Sequence, residues 1–218
     1  MKSAILSSFD SIPYFTIEGV RQLLSDEKSA RGSVQTKLYR WMKNGLVIQL
    51  KRGVYMTRRF FDLHHADEDF IPAVSAILIP QSYVSLEYRL QQLGMLTEIT
   101  FPLTAVTLKH TRVIENSLGT FSYRSIQPEN YMGFNIAEYM GIPFYRATPA
   151  KALFDFFYLH PARRLDLRLG HSVVEDLRLN LENLTQEDGN EFAGYVDLTD
   201  SPKMKRILKD LRKTVWLP

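Results

Sequence analysis

Between Thr16 and Met56 the chain switches from helical to extended patterning at spacings that leave few folds open. Thr16 is placed to cap a helix carrying Ile17, Val20, Leu23 and Leu24 at i, i+3, i+6 and i+7, which is one buried face. Residues 25–32 are polar and turn-like. Ser33 can cap a second helix on which Val34, Leu38, Trp41 and Met42 share a face, with Gln35, Thr36, Lys37, Arg40 and Lys43 largely opposite. Gly45 suits the left-handed position that ends such a helix. Val47–Leu50 and Val54–Met56 then flank a Lys51-Arg52-Gly53 tip as two short strands. Helix, turn, helix and basic hairpin together predict a winged helix-turn-helix, with one helix for the major groove and a wing for the backbone or minor groove.

The candidate DNA contacts are therefore Ser33, Gln35, Thr36, Lys37, Arg40 and Lys43 on the second helix, and Lys51 and Arg52 on the wing. Gln can pair with adenine through two hydrogen bonds, Arg with guanine, and Thr can touch the thymine methyl. A solvated helix face and an exposed hairpin tip are the plainer alternatives. Charge weighs against them. Residues 1–60 hold 11 Lys+Arg against 4 Asp+Glu, residues 61–200 hold 10 against 19, and residues 201–218 hold 6 against 1. A net charge of only +3 thus conceals a basic head, an acidic body and a basic tail. Phosphate binding needs local positive charge, which the head has.

The break near residue 60 predicts two domains, a 1–60 head and a 61–218 body. Cysteine is absent, which excludes disulfides and thiolate chemistry and fits a reducing cytoplasm. The apolar run at Ala4-Ile5-Leu6 is too short for a signal peptide, and Ala73–Pro80 is too short to span a bilayer, so the expectation is a cytoplasmic protein without a membrane partner.

Residues 58–69 read as a polar linker. Ile71–Ile79 reads as a buried helix or strand, and Ser85 as the cap of a helix with Leu86, Leu90 and Leu93, closed by Gly94. Strand-like pieces follow at 99–101, 105–108, 119–126 and 142–146. Thr148-Pro149 opens a helix to about Leu159. Ser172 with Glu175 predicts a capping box, and helices starting near Thr185 and Pro202 complete the chain. The fold class expected is α+β: the winged head, then a mixed α/β body with a helical C-terminal part.

Three stretches carry a family likeness. They are Leu38–Val47 running into Lys51–Tyr55; Pro80–Glu87 with Leu90 and Gly94; and Ala147-Thr148-Pro149-Ala150-Lys151-Ala152-Leu153-Phe154-Asp155. In this order, over roughly residues 16–160, the chain resembles the AbiEi-type antitoxin and transcriptional-regulator family of bacterial type IV toxin–antitoxin systems. The resemblance implies a non-enzymatic antitoxin whose winged head represses its own operon. The implied partners are duplex DNA at the operon promoter, with inverted repeats as the expected target, and a cognate nucleotidyltransferase-like toxin opposed without a stable complex. The residues alone stop at a DNA-binding head on a mixed acidic body.

In the third stretch Lys151 breaks a local rule. A cation in the first turn of a helix opposes the dipole, and Lys-before-Asp is the weaker i, i+4 order with Asp155. Either Lys151 reaches a carboxylate elsewhere in the body, or Lys151 and Asp155 serve antitoxin function through a phosphate or partner. The tail offers a second basic patch at Lys205, Arg206, Lys209, Arg212 and Lys213, for which a solvated helix face is the plainer reading. His64, His65, Asp67 and Asp69 have poor ligand spacing, and neither a metal nor a cofactor is expected. Residues 61–218 contain no Glu-x-Lys or Asp-x-Lys pair of a restriction-type nuclease, and no Gly-x-Ser-x-Gly, P-loop or dinucleotide fingerprint. No enzyme activity is expected. The alternative function is a ligand-responsive winged-helix repressor without an antitoxin role, which requires a pocket in the body.

Overall fold

The structure, a computed structural model, describes residues 4–25, 34–97, 102–161 and 173–216. The protein is mixed α+β. Its N-terminal part runs α1 (Ala4–Ser7), β1 (Phe15–Thr16), α2 (Ile17–Ser25), α3 (Val34–Lys43), β2 (Val47–Lys51) and β3 (Val54–Thr57). The strands form an antiparallel sheet in the order β1-β3-β2. Thr16 caps α2 as its position suggests, its Oγ1 accepting the Gly19 N–H at 3.2 Å. Val20, Leu24, Leu38, Trp41, Val47 and Tyr55 close a small core with Ile5, Leu6, Phe9 and Phe15. Leu23, expected on the buried stripe, is instead 36% exposed, because α2 covers a narrower face than its sequence stripe. Ser33 lies outside the described residues, as do Ser172 of the expected capping box and the whole of the expected strand over 99–101.

The first part of the expected linker is instead a helix, α4 (Arg58–His64), and only the residues from His65 to Asp69 form a turn-rich connection. Thr57 caps α4, accepting the Phe60 N–H at 3.1 Å, and Phe60 is fully buried. One buried ring and one cap outweigh a charged, linker-like composition. Then come α5 (Phe70–Leu78), β4 (Ser82–Val84), α6 (Leu86–Gln92), β5 (Leu103–Thr107), β6 (Arg112–Asn116), β7 (Gly119–Ser125), β8 (Phe134–Tyr139), β9 (Ile142–Ala147) and α7 (Pro149–Leu159). The last elements are α8 (Val173–Asp176), α9 (Gln186–Thr199) and α10 (Pro202–Thr214). Ser85 does not bond the α6 backbone; its hydroxyl is directed elsewhere.

The larger sheet has the order β6-β7-β5-β4-β9-β8. β4 runs parallel to β9 and β5 parallel to β7, while the other neighbours are antiparallel. Successive strand residues enter different cores, since side chains alternate across a sheet. Tyr83 and Val106 join the cluster formed with α6, α7, α9 and α10. Val84, Leu103, Ala105, Phe121 and Tyr123 join the one formed with α5. Ile48, Leu50, Met56 and Phe60 belong to that second cluster too, so apolar packing continues across the charge break near residue 60.

Candidate nucleic-acid interface and buried polar core

α3 is held by Leu38 and Trp41, 1% and 8% exposed, which fixes the direction of everything opposite them. Gln35, Thr36, Arg40 and Lys43 are exposed and Lys37 is half-buried at the margin. Tyr39, which the sequence reading passed over, stands 61% exposed on the same face. Its signal was present: Thr36, Tyr39, Arg40 and Lys43 follow the i, i+3, i+4, i+7 rule for one helix face. Gly45 ends the helix at φ 68°, and the Leu46 N–H reaches back to the Trp41 carbonyl at 2.9 Å. Arg40 and Lys43 sit in the last turn, where the helix dipole favours cations.

On the hairpin, Arg52 is exposed but Lys51 is not a free tip residue. Its Nζ donates to the carbonyls of Ile77 at 2.6 Å and Leu78 at 3.0 Å, at the C-terminal end of α5. An ammonium there satisfies carbonyls that the helix leaves open and complements its negative end. Burial, with a smaller contribution from nearby Lys109, pulls the Lys51 pKa below the ordinary lysine value. The Asn116 amide also donates to the Leu50 carbonyl at 3.1 Å, tying the hairpin to β6.

Lys151 and Asp155 come together in the body, both with no solvent exposure. Lys151 Nζ donates to Asp155 Oδ1 at 2.7 Å. Asp155 Oδ2 accepts the Tyr83 hydroxyl at 2.9 Å and the Ser85 hydroxyl at 2.8 Å. Ser85 is thus drawn from its expected cap by a buried carboxylate, and Leu86 follows at φ 59°, a strained left-handed conformation for leucine. Rings of Phe154 and Tyr195 lie 4.7 and 5.2 Å from the ammonium. Burial lowers the Lys151 pKa and raises that of Asp155, and each partner offsets part of the other's shift. Burial and the adjoining carboxylate push the Tyr83 hydroxyl far above ordinary tyrosine, so it acts as a donor.

Gly133 seals this network. A Cβ there would meet Tyr195 Oη at 2.0 Å and Lys151 Cγ at 3.0 Å, and the backbone sits at φ 75°. Thr148 both caps α7, through the Lys151 N–H at 3.1 Å, and donates to Glu191 Oε1 at 2.7 Å; Tyr195 donates to the same oxygen at 2.5 Å. With no exposure, Lys151 and Asp155 have no direct reach to a phosphate or protein partner. The carboxylate that Lys151 meets is not elsewhere in the body, as the plainer expectation had it, but Asp155, one turn along the same helix.

In the tail, Lys205, Arg206, Lys209, Arg212 and Lys213 form an exposed stripe on α10 opposite buried Met204, Ile207, Leu208 and Leu211. Lys205 pairs with Asp200. Lys203 turns inward, its Nζ donating to the carbonyls of Phe157, Tyr158 and His160 at 2.8–2.9 Å, at the end of α7. His64 Nδ1 lies 3.1 Å from Asp67, whose carboxylate also accepts the Tyr139 hydroxyl. Among the described residues, no group of three or more His, Asp or Glu could hold a metal ion, and no helix is long and apolar enough to cross a membrane. No protein-family model matches the chain, and no curated protein matches it.

Proposed function

We propose that the N-terminal part is a winged helix-turn-helix that binds duplex DNA, and that the protein represses its own operon as an antitoxin opposing a nucleotidyltransferase-like toxin. The observation that carries the DNA half is α3. Leu38 and Trp41 anchor one side while Thr36, Tyr39, Arg40 and Lys43 are presented on the other, immediately before the β2–β3 hairpin. The order α1-β1-α2-α3-β2-β3, with the three strands paired, is the arrangement such a head requires. α3 is the recognition helix and Arg52 the basic residue of the wing. The antitoxin half rests on the three ordered stretches that resemble the AbiEi-type family.

DNA upstream of the gene, titrated with the full chain, tests the first half. Affinity falls steeply with salt, log K dropping by about 0.9 per phosphate neutralised. Arg40→Ala costs ~1–3 kcal/mol and relaxes specificity if Arg40 reads a base. Arg52→Ala weakens all sequences alike and flattens the salt slope. Absence of any retardation at low salt refutes the DNA-binding reading. Co-expression with the product of the adjacent gene tests the second half: growth is rescued, and no stable complex elutes on sizing.

A further inference from the structure

The function proposed above leaves one part of the body unused, a cavity between the start of α9 and the end of α10. It is a half-open cleft of about 380 Å³, lined among the described residues by Gln186, Gly189, Asn190, Arg212, Lys213 and Trp216. Its floor is held tightly in place. A Cβ on Gly189 would meet Trp216 Cδ2 at 2.9 Å, so glycine alone lets the indole lie against the α9 backbone. The Phe192 ring supports the indole from below, with centroids 5.6 Å apart. Trp216 is 5% exposed, and its Nε1–H is buried with no acceptor among the described residues. A buried indole N–H usually finds a partner, and this one is left without.

The rim has a definite sign. Arg212 and Lys213 are exposed, and among the described residues neither is drawn into an ion pair. Gln186 and Asn190 add neutral amides. Asp188, in the same turn of α9, is turned away to Thr185, accepting its N–H at 2.8 Å and its hydroxyl at 2.7 Å. An apolar floor with a few polar groups at the mouth, in a cleft of this size, is the usual form of a small-molecule site. We propose that this cavity binds an organic anion. The planar or apolar body lies on the Trp216 floor, and the carboxylate, sulfonate or phosphate lies between Arg212 and Lys213. The site is independent of the DNA-binding reading, and it supplies the body pocket that a ligand-responsive repressor requires.

Anilinonaphthalene sulfonate, an aromatic organic anion whose absorption overlaps tryptophan emission, is the probe. The full chain has two tryptophans, so Trp41→Phe leaves Trp216 as the single donor. The expected result is saturable binding at one site per chain that quenches Trp216. Arg212→Ala with Lys213→Ala weakens it by about tenfold or more, with an unchanged melt because both residues are exposed. If Trp41→Phe fails to fold, the native chain gives the same comparison through its probe emission. The proposal is overturned by the absence of saturable binding, by equal affinity in the double variant, or by equally tight binding of neutral N-phenylnaphthylamine.

Discussion

Lys151 and Asp155 show how position in a helix and position in a fold make different demands on one residue. On an exposed helix the Lys-then-Asp order gives a weak pair. Buried, with the Tyr83 and Ser85 hydroxyls on the second carboxylate oxygen, the same order closes a satisfied network. Removing one member strands the other without water. Lys151→Met and Asp155→Asn are each expected to lower unfolding free energy by ~3–5 kcal/mol in urea titrations. The double variant should cost less than the sum, because Asn can still accept from Tyr83 and Ser85 while no unpaired charge remains. Additive losses would show that the pair is not coupled. Any loss of growth rescue in these variants should track the loss of melting temperature, since neither side chain reaches the surface. The rule-breaking lysine was legible in the sequence. The carboxylate's second and third partners were not, because Tyr83, in β4, and Ser85, just after it, arrive from some seventy residues earlier.

Among the elements, those with a local signal were legible. The Thr148-Pro149 start of α7, the Thr185 start of α9 and the Pro202 start of α10 all carry caps in the structure. β4, β6 and β8 were missed for identifiable reasons. β4 has three residues, all buried, so no alternation is visible. β6 and β8 are sheet edges without a fully buried residue, so little marks them as strands in the sequence. The helix that the Ser172–Glu175 capping box predicts is only the four-residue α8, ending at Asp176. The hairpin was placed well, yet Lys51 changed role, because the end of α5 supplies carbonyls that no sequence window contains. Lys51→Met should therefore cost ~1–2 kcal/mol of stability through the lost helix cap. Under the DNA-binding reading it should leave affinity for duplex DNA nearly unchanged, in contrast to Arg52→Ala. A full loss of affinity at native stability would return Lys51 to the interface.

At the scale of the whole molecule, charge divides the chain near residue 60 but apolar packing does not follow it. Ile48, Leu50, Met56 and Phe60 share a core with Phe70, Val74 and Ile77. Charge reports what the surface meets; the division of a core depends on contacts that composition does not reveal. A chain starting at Asp62 should accordingly melt well below the full-length protein and expose apolar surface from α5 and the sheet, seen as self-association on sizing. A start at Val47 that retains the hairpin and α4 should recover much of the difference. If the shorter chain melts like the parent, the shared cluster contributes little.

The pairing of β4 with β9 also sets an order in time. Tyr83 and Val84 lie beside Tyr145 and Arg146, so one flank of a central strand stays open until a much later segment has left the ribosome. The carboxylate that Tyr83 and Ser85 serve comes later still, on α7. Non-local, partly parallel pairing of this kind is slow to form and leaves strand edges uncovered meanwhile. A ribosome-bound chain from which β9 has not yet emerged therefore carries an unfinished sheet, and one that ends short of α7 leaves the Tyr83 and Ser85 hydroxyls without their carboxylate.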